Sequence, residues 1–472
     1  MKPLPSAQPS VALRRAPAVL LLAAMLATAT ATAEASEGVD AQAGLQPLTN
    51  AGGTPLRFDW PMLRIGTGEY AEGPTGVTVF HFGRKVLGAV DVRGGAPGTV
   101  NSDFLRLGYA TPDLDSVVFA GGSWYGLEAT TAVASALKDD GVRSGRWDNI
   151  ALSVGAIIYD FGDRRLNEVY PDKKLAQAAY RAAQPGLFRN GAAGAGRFAR
   201  SGDFFGCRAH SGQGGAFRQV GELKIAAFTV VNAFGVVARR DGTIAACYRD
   251  PAWPAQLSVD ELVRGLPDSR QAGWNTPSGP KRNTTVSLVV VNQKMDPAEL
   301  QRLAVQVHTS MARGIQPFAS MGDGDVLYAV STGEVEAPAD MINPELGAIA
   351  SEVMWDAILN SVPEQPALPR IAPQPPVAAQ VLDSYAGDYR FSRAVGIRVS
   401  RRGDRLYAQA NGERDAYAIG RAAPVELLPY RPGQFAVPGR YPLVLDFSAG
   451  DRLVVNPGPW QQIGTRQKAA SP

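Results

Sequence analysis

The chain has 472 residues, 45% of them apolar, and a formal net charge of +3. That length suits two or three domains with ordinary globular cores, and the small, evenly spread charge argues against a nucleic-acid partner. Its two cysteines and three histidines show no H-E-x-x-H or C-x-x-C spacing, so neither a metal nor another cofactor is expected.

Lys2, Arg14 and Arg15 precede an apolar run at 16–27 and a small-residue site, Ala31-Thr32-Ala33. This is the pattern of an export signal over residues 1–33, with maturation near Glu34 and a periplasmic or secreted destination. The run is short for a membrane span and no later segment has the length, so no stable span is expected. Cys207 and Cys247 suit an oxidising compartment, either paired in one disulfide or as two free thiols.

Residues 34–360 read as one mixed α/β domain. β-Branched runs predict strands at 75–80, 85–92, 150–159 and 223–237, with a helix at 127–138 that Asp139-Asp140-Gly141 ends. From Thr284 to Val291 the sequence is a near-continuous apolar strand, which implies cover on both faces. Asp296 then caps a helix, with Pro297 at its first position and Glu299 closing a capping box. Leu300, Leu303, Ala304, Val307, Met311 and Ile315 keep helical spacing until Gly314 and Pro317 stop it. A strand returns at 325–330, and Asn343-Pro344 opens a second helix that runs through Ile358. If the two strands are neighbours, Thr284 and the pair Asp323 and Asp325 share one rim. Six prolines between 363 and 376 make 361–380 a stiff linker. Residues 381–472, with short alternating segments and Gly turns, predict a small all-β barrel or meander.

The chemistry centres on Asn283-Thr284-Thr285. A threonine gains a base of its own when cleavage frees its α-amino group, which titrates near pH 8 and can take the hydroxyl proton. The turn-rich loop at 271–283 can strain or expose the bond before Thr284. Taken alone, these residues stay ambiguous. Asn-Thr-Thr also fits a glycosylation sequon, Asp-Gly-Asp a polar turn, Asn232 a strand-end hydrogen bonder and Tyr159 a core residue.

A run of motifs in order gives them context: Gly73-Pro-Thr-Gly-Val-Thr-Val79, Val90-Asp-Val-Arg-Gly-Gly-Ala-Pro-Gly-Thr99, Ala120-Gly-Gly-Ser-Trp-Tyr-Gly-Leu127, Ile158-Tyr-Asp160, Gly194-Ala-Gly196, Val230-Val-Asn-Ala-Phe-Gly235, Asn283-Thr-Thr285, Asp323-Gly-Asp325 and Ser331-Thr-Gly333. The series resembles the self-processing hydrolases that include L-aminopeptidase/D-esterases, β-peptidyl aminopeptidases and nylon-oligomer hydrolases. The resemblance implies a four-layer α/β/β/α sandwich, cut between Asn283 and Thr284. It makes Thr284 the nucleophile, Asp323 and Asp325 the pair that orients it and its amine, and Asn232 and Tyr159 the groups that hold the oxyanion or scissile carbonyl. It further implies a small peptide or amide substrate and a homo-oligomer of processed heterodimers.

Two positions depart from the pattern. Ile157 stands where aminopeptidase members carry an ammonium-holding Glu, and no Lys follows Gly196 at the family's place, leaving Arg197, Arg200 or Lys224 as substitutes. Leu382-Asp-Ser-Tyr-Ala-Gly-Asp-Tyr-Arg-Phe391 with Arg401-Arg-Gly-Asp-Arg-Leu-Tyr-Ala-Gln409 resembles the small β-domain appended to exported serine β-lactamase-like hydrolases, which raises Ser135-Ala-Leu-Lys138 as a rival nucleophile motif. A non-catalytic binding protein that retains the fold is the alternative from another class.

Overall fold

The computed structural model describes residues 42–109, 112–249, 253, 258–267, 283–339, 342–371 and 376–467. The expected export signal and most of the loop before Asn283 lie outside the described residues. Residues 42–44 are a turn, and Leu45–Pro472 forms one unit.

The main sheet has eleven strands among the described residues, and its eight longer ones are β1 (Leu63–Tyr70), β2 (Gly73–Val92), β3 (Asp113–Ala120), β4 (Ser153–Ile157), β5 (Gln213–Val220), β6 (Leu223–Asn232), β7 (Thr284–Gln293) and β8 (Val326–Val335). The order β5-β6-β7-β8-β2-β3-β4 folds back on itself through β2. The first half of this 20-residue strand pairs with β1 and β3, and its second half with β8. The sequence reads here as two strands, at 75–80 and 85–92, with His81-Phe-Gly-Arg84 left between them. In the structure these residues continue the strand across a register shift between His81 and Val86.

Helices cover both outer faces: α1 (Glu128–Asp139) and α2 (Lys173–Arg181) on one side, α3 (Pro297–Ser310) and α4 (Asn343–Asn360) on the other. Three apolar layers result. Phe80, Phe119, Phe228, Val286, Leu288, Val290 and Tyr328 fill the space between the two halves of the sheet. Val289, Val291, Leu327 and Ala329 pack on α3 and α4 through Leu300, Leu303, Val307, Leu346 and Ala350. Val77, Val79 and Val118 pack on α1 and α2 through Ala129, Val133 and Leu175. This is the expected α/β/β/α layering, produced by strands that are apolar on both faces.

The local signals hold closely. Asp296 and Glu299 form the capping box on α3, with Pro297 in its first turn. Strand β6 stops at Asn232, short of the expected 237, because Phe234 turns its N–H to Asp323 and its carbonyl to Phe204. Strand β4 is likewise shorter than 150–159. Cys207 and Cys247 are joined in a disulfide.

From Gly387 to Arg466 eight antiparallel strands close into a barrel. Among the described residues no helix is long and apolar enough to cross a membrane.

Candidate active site

Alternation along β7 decides where Thr284 points. Val286, Leu288 and Val290 face the layer between the sheet halves, whereas Val289 and Val291 face α3 and α4. With a period of two, Thr284 lies on the inter-sheet side at the strand's start, and it is 4% exposed. Strand β6 runs antiparallel beside it and sets Asn232 opposite Thr284. Strand β8 runs parallel on the other side, and Asn283 bridges to Asp323. The two strand tips therefore do share one rim.

The carbonyl oxygen of Asn283 accepts two hydrogen bonds, from the N–H of Gly324 at 2.9 Å and from the hydroxyl of Thr284 at 2.5 Å. A β-carbon at Gly324 would lie 2.8 Å from the Thr284 hydroxyl oxygen and 2.6 Å from the carbonyl oxygen of Ala96. The residue between the two aspartates must be small for the hydroxyl to sit there. Sequence analysis gives Gly324 no role, although its place inside Asp-Gly-Asp was the available signal.

The strap at 93–98 closes the rim from above. Arg93 and Gly94 donate their N–H groups to the carbonyl of Asp325, and Ala96 donates to that of Asp323. A β-carbon at Gly94 would stand 2.1 Å from the Asp325 nitrogen, so the glycine-rich turn serves close backbone approach. Further along, the carbonyl of Gly98 accepts from Ile157 N–H at 3.1 Å.

Both aspartates are buried. Asp325 accepts from the N–H of Thr285 at 2.7 Å and of Ala319 at 3.0 Å. Asp323 accepts from the Ser320 hydroxyl at 2.6 Å and the Phe234 N–H at 3.3 Å. Burial raises both carboxyl pKa values, and for Asp325 the negative charge of Asp323 adds to the rise. Among the described residues no Lys, Arg or His side chain pairs with either carboxylate.

Asn232 is committed to the main chain. Its side-chain N–H donates to the carbonyl of Tyr159 at 3.0 Å, and its side-chain oxygen accepts from Arg200 N–H at 3.1 Å. Tyr159 joins the site through that carbonyl, while its hydroxyl turns to the carbonyl of Phe161 at 3.4 Å. The structure thus gathers Asn283, Thr284, Asp323, Asp325 and Asn232 at one rim and keeps the Tyr159 phenol aside.

The substitutes for a family Lys are engaged elsewhere. Arg197 lies 3.3 Å from Glu69 and donates to Tyr70 and Pro459 carbonyls, Arg200 pairs with Asp163 at 3.0 Å, and Lys224 donates to the carbonyl of Asp59. The rival motif is spent too. Ser135 donates to the carbonyl of Ala132 within α1, and Lys138 pairs with Asp139. Among the described residues no group of three or more His, Cys, Asp or Glu side chains is gathered as metal ligands would be.

Comparison with known proteins places this rim in a family context. Residues 58–368 match the profile of peptidase family S58. The chain is 41% identical over 336 residues to a 6-aminohexanoate-oligomer endohydrolase of Paenarthrobacter ureafaciens, covering 67% of this chain and 88% of the relative. It is 33% identical over 309 residues to an uncharacterized aminopeptidase of Mycobacterium leprae, covering 61% and 82%. A Burkholderia sp. beta-aminopeptidase structure aligns with a TM-score of 0.46 at 19% identity, over 66% of this chain and 88% of that one.

Proposed function

We propose that this chain, which belongs to peptidase family S58, cuts itself between Asn283 and Thr284 and then works as an N-terminal-threonine amidohydrolase. That it is a hydrolase of peptide or amide bonds follows from the family and its relatives. The observation that carries the finer reading is the Asn283 carbonyl, which meets the Thr284 hydroxyl at 2.5 Å while Gly324 N–H holds its oxygen at 2.9 Å.

In the cut, the Thr284 oxygen bonds to the carbonyl carbon of Asn283 and the carbon–nitrogen bond breaks, with the hydroxyl proton passing to the departing amine. Gly324 N–H faces the oxygen on which negative charge develops. Water then hydrolyses the ester, leaving a carboxylate on Asn283 and a free amine on Thr284. In turnover that amine takes the hydroxyl proton as Thr284 attacks the substrate carbonyl, and an acyl-enzyme ester is hydrolysed in turn.

Asp323 and Asp325 fit this sequence of events. Before the cut no cation among the described residues faces them and burial keeps their pKa values raised; afterwards the Thr284 amine is freed beside them, and its ammonium form stabilises their charged forms. Asn232, opposite Thr284 in the ladder, holds the Tyr159 main chain at the rim.

For substrates, we favour linear amides of the 6-aminohexanoate type over aminopeptidase substrates. Ile157 is 6% exposed and packs beneath Gly98, where a carboxylate would be needed to hold a free ammonium. Export is part of the proposal, supported by the N-terminal sequence and by the disulfide.

The test is a denaturing gel of three purified proteins. Wild type should give two bands, Thr284→Ala one inactive band, and Thr284→Ser two bands with part of the activity. A cleaved, active Thr284→Ala protein would refute the assignment.

A further inference from the structure

The segment at 159–167 begins at the rim and ends inside the C-terminal barrel. At its start, Asn232 holds the Tyr159 carbonyl, and Asp160 is fixed by the Thr75 hydroxyl at 2.6 Å and Gly122 N–H at 2.8 Å. At its end, Leu166 is 1% exposed and belongs to the apolar core of the barrel, among Ile397, Leu406 and Leu427. Gln462, on the last barrel strand, accepts from Leu166 N–H and donates to the Arg164 carbonyl at 2.8 Å. Arg414 donates to the carbonyl of Arg165.

Arg164 lies between these ends and is 2% exposed. Its guanidinium carbon stands 3.8 Å from the ring centre of Tyr441, 5.4 Å from Tyr417 and 5.7 Å from Tyr248. Its two terminal nitrogens have no hydrogen-bond partner among the described residues. A buried guanidinium without such partners is costly, and ring faces are what attract it here. Tyr417 and Tyr441 belong to the barrel; Tyr417 takes a left-handed backbone, φ 61°, at the turn that carries its ring. That conformation is uncommon for a tyrosine and persists only where its surroundings hold it. Asp163, one residue earlier and half exposed, is pinned from the hydrolase side: partial loss of hydration opposes its charge, yet Arg200 and Arg208 hold its carboxyl well below the usual range.

We propose that the barrel is a positioning element for the hydrolytic site. It grips the segment at 159–167 through the positioning residues Arg164 and Leu166, and so keeps the Tyr159 main chain in register with Asn232 beside Thr284. The proposal rests on the reading of Thr284 as nucleophile. A misplacement of about 1 Å propagated to reacting groups can cost on the order of 100-fold in rate, so a grip of this kind acts on kcat.

The experiment uses the full chain with Tyr441→Ala and Tyr441→Phe, turnover of a linear 6-aminohexanoate oligomer, and hydrogen exchange at amides 160–167. Tyr441→Ala should lower kcat about tenfold or more with KM changed less than about threefold. Exchange at 160–167 should speed up while the barrel strands stay protected. Tyr441→Phe, which keeps the ring face, should match wild type in both. Wild-type kcat and exchange in Tyr441→Ala would overturn the proposal, as would equal damage from Tyr441→Phe. Should Tyr441→Ala fail to fold, Arg164→Met keeps the bulk without the charge, and wild-type kcat and exchange in that variant would overturn it equally. A wild-type chain with neither cut nor turnover would defeat the nucleophile reading by itself, and exchange at 160–167 would still decide the grip.

Discussion

Thr284 and Gly324 face each other across a parallel strand pair, and the threonine hydroxyl occupies the space a side chain at 324 would need, 2.8 Å from the position of a β-carbon there. The same glycine donates its N–H to the Asn283 carbonyl. One residue therefore provides both the room for the Thr284 hydroxyl and a donor for the oxygen of the proposed scissile bond.

Gly324→Ala should accordingly block processing while the chain still folds. The added methyl meets the Thr284 oxygen and, at 2.6 Å, the Ala96 carbonyl, so the hydroxyl must leave its place and the strap must shift. Losing the aligned donor and the hydroxyl position should slow the cut by about 100-fold or more. Band ratios on denaturing gels over hours measure this; cleavage at the wild-type rate would mean that the Gly324 contact is incidental.

The aspartate pair predicts a pH dependence in the uncut chain. The folded pKa values of Asp323 and Asp325 are raised, by burial first and for Asp325 also by Asp323, whereas in the unfolded chain both titrate near 4. Between those values the folded state retains protons that the unfolded state has lost, so stability falls as pH rises. The contribution is fully present below about pH 4 and disappears as pH passes through the raised values, at up to roughly 1.4 kcal/mol per pH unit for each group. Thermal midpoints of the Thr284→Ala precursor should decline over that window. The double variant with Asp325→Asn should decline less; an identical slope in both would remove Asp325 from the account.

How much of this was legible beforehand differs from residue to residue. Strand β7 and helix α3 stand out because their signals are local: an unbroken apolar run, and Asp296, Pro297 and Glu299 at fixed spacing. Thr284 and the aspartates were recognisable from motif order. What escaped depends on contacts between distant segments. Gly324 carries no side chain because the Thr284 hydroxyl lies 2.8 Å from where its β-carbon would be, and Arg164 is buried because rings from 248, 417 and 441 surround it. Neither leaves a periodic trace in its own neighbourhood. The Tyr159 hydroxyl, expected near the scissile carbonyl, turns to Phe161 instead, and the tyrosine meets Asn232 through its main-chain carbonyl.

Specificity should follow from Ile157. Holding an ammonium against a buried isoleucine costs several kcal/mol without a paired carboxylate. Two substrates that differ only by N-acetylation should therefore have kcat/KM values within about tenfold of each other, roughly 1.4 kcal/mol. A stronger preference for the free amine would return the enzyme to the aminopeptidase branch.

The central claim is the position of the cut, and sequencing the N-terminus of the smaller fragment from purified protein tests it most directly. The account predicts a chain that begins Thr284-Thr-Val-Ser and ends with the C-terminal barrel. A fragment that begins at any other residue, or an enzyme that is active with the bond between Asn283 and Thr284 intact, would contradict it.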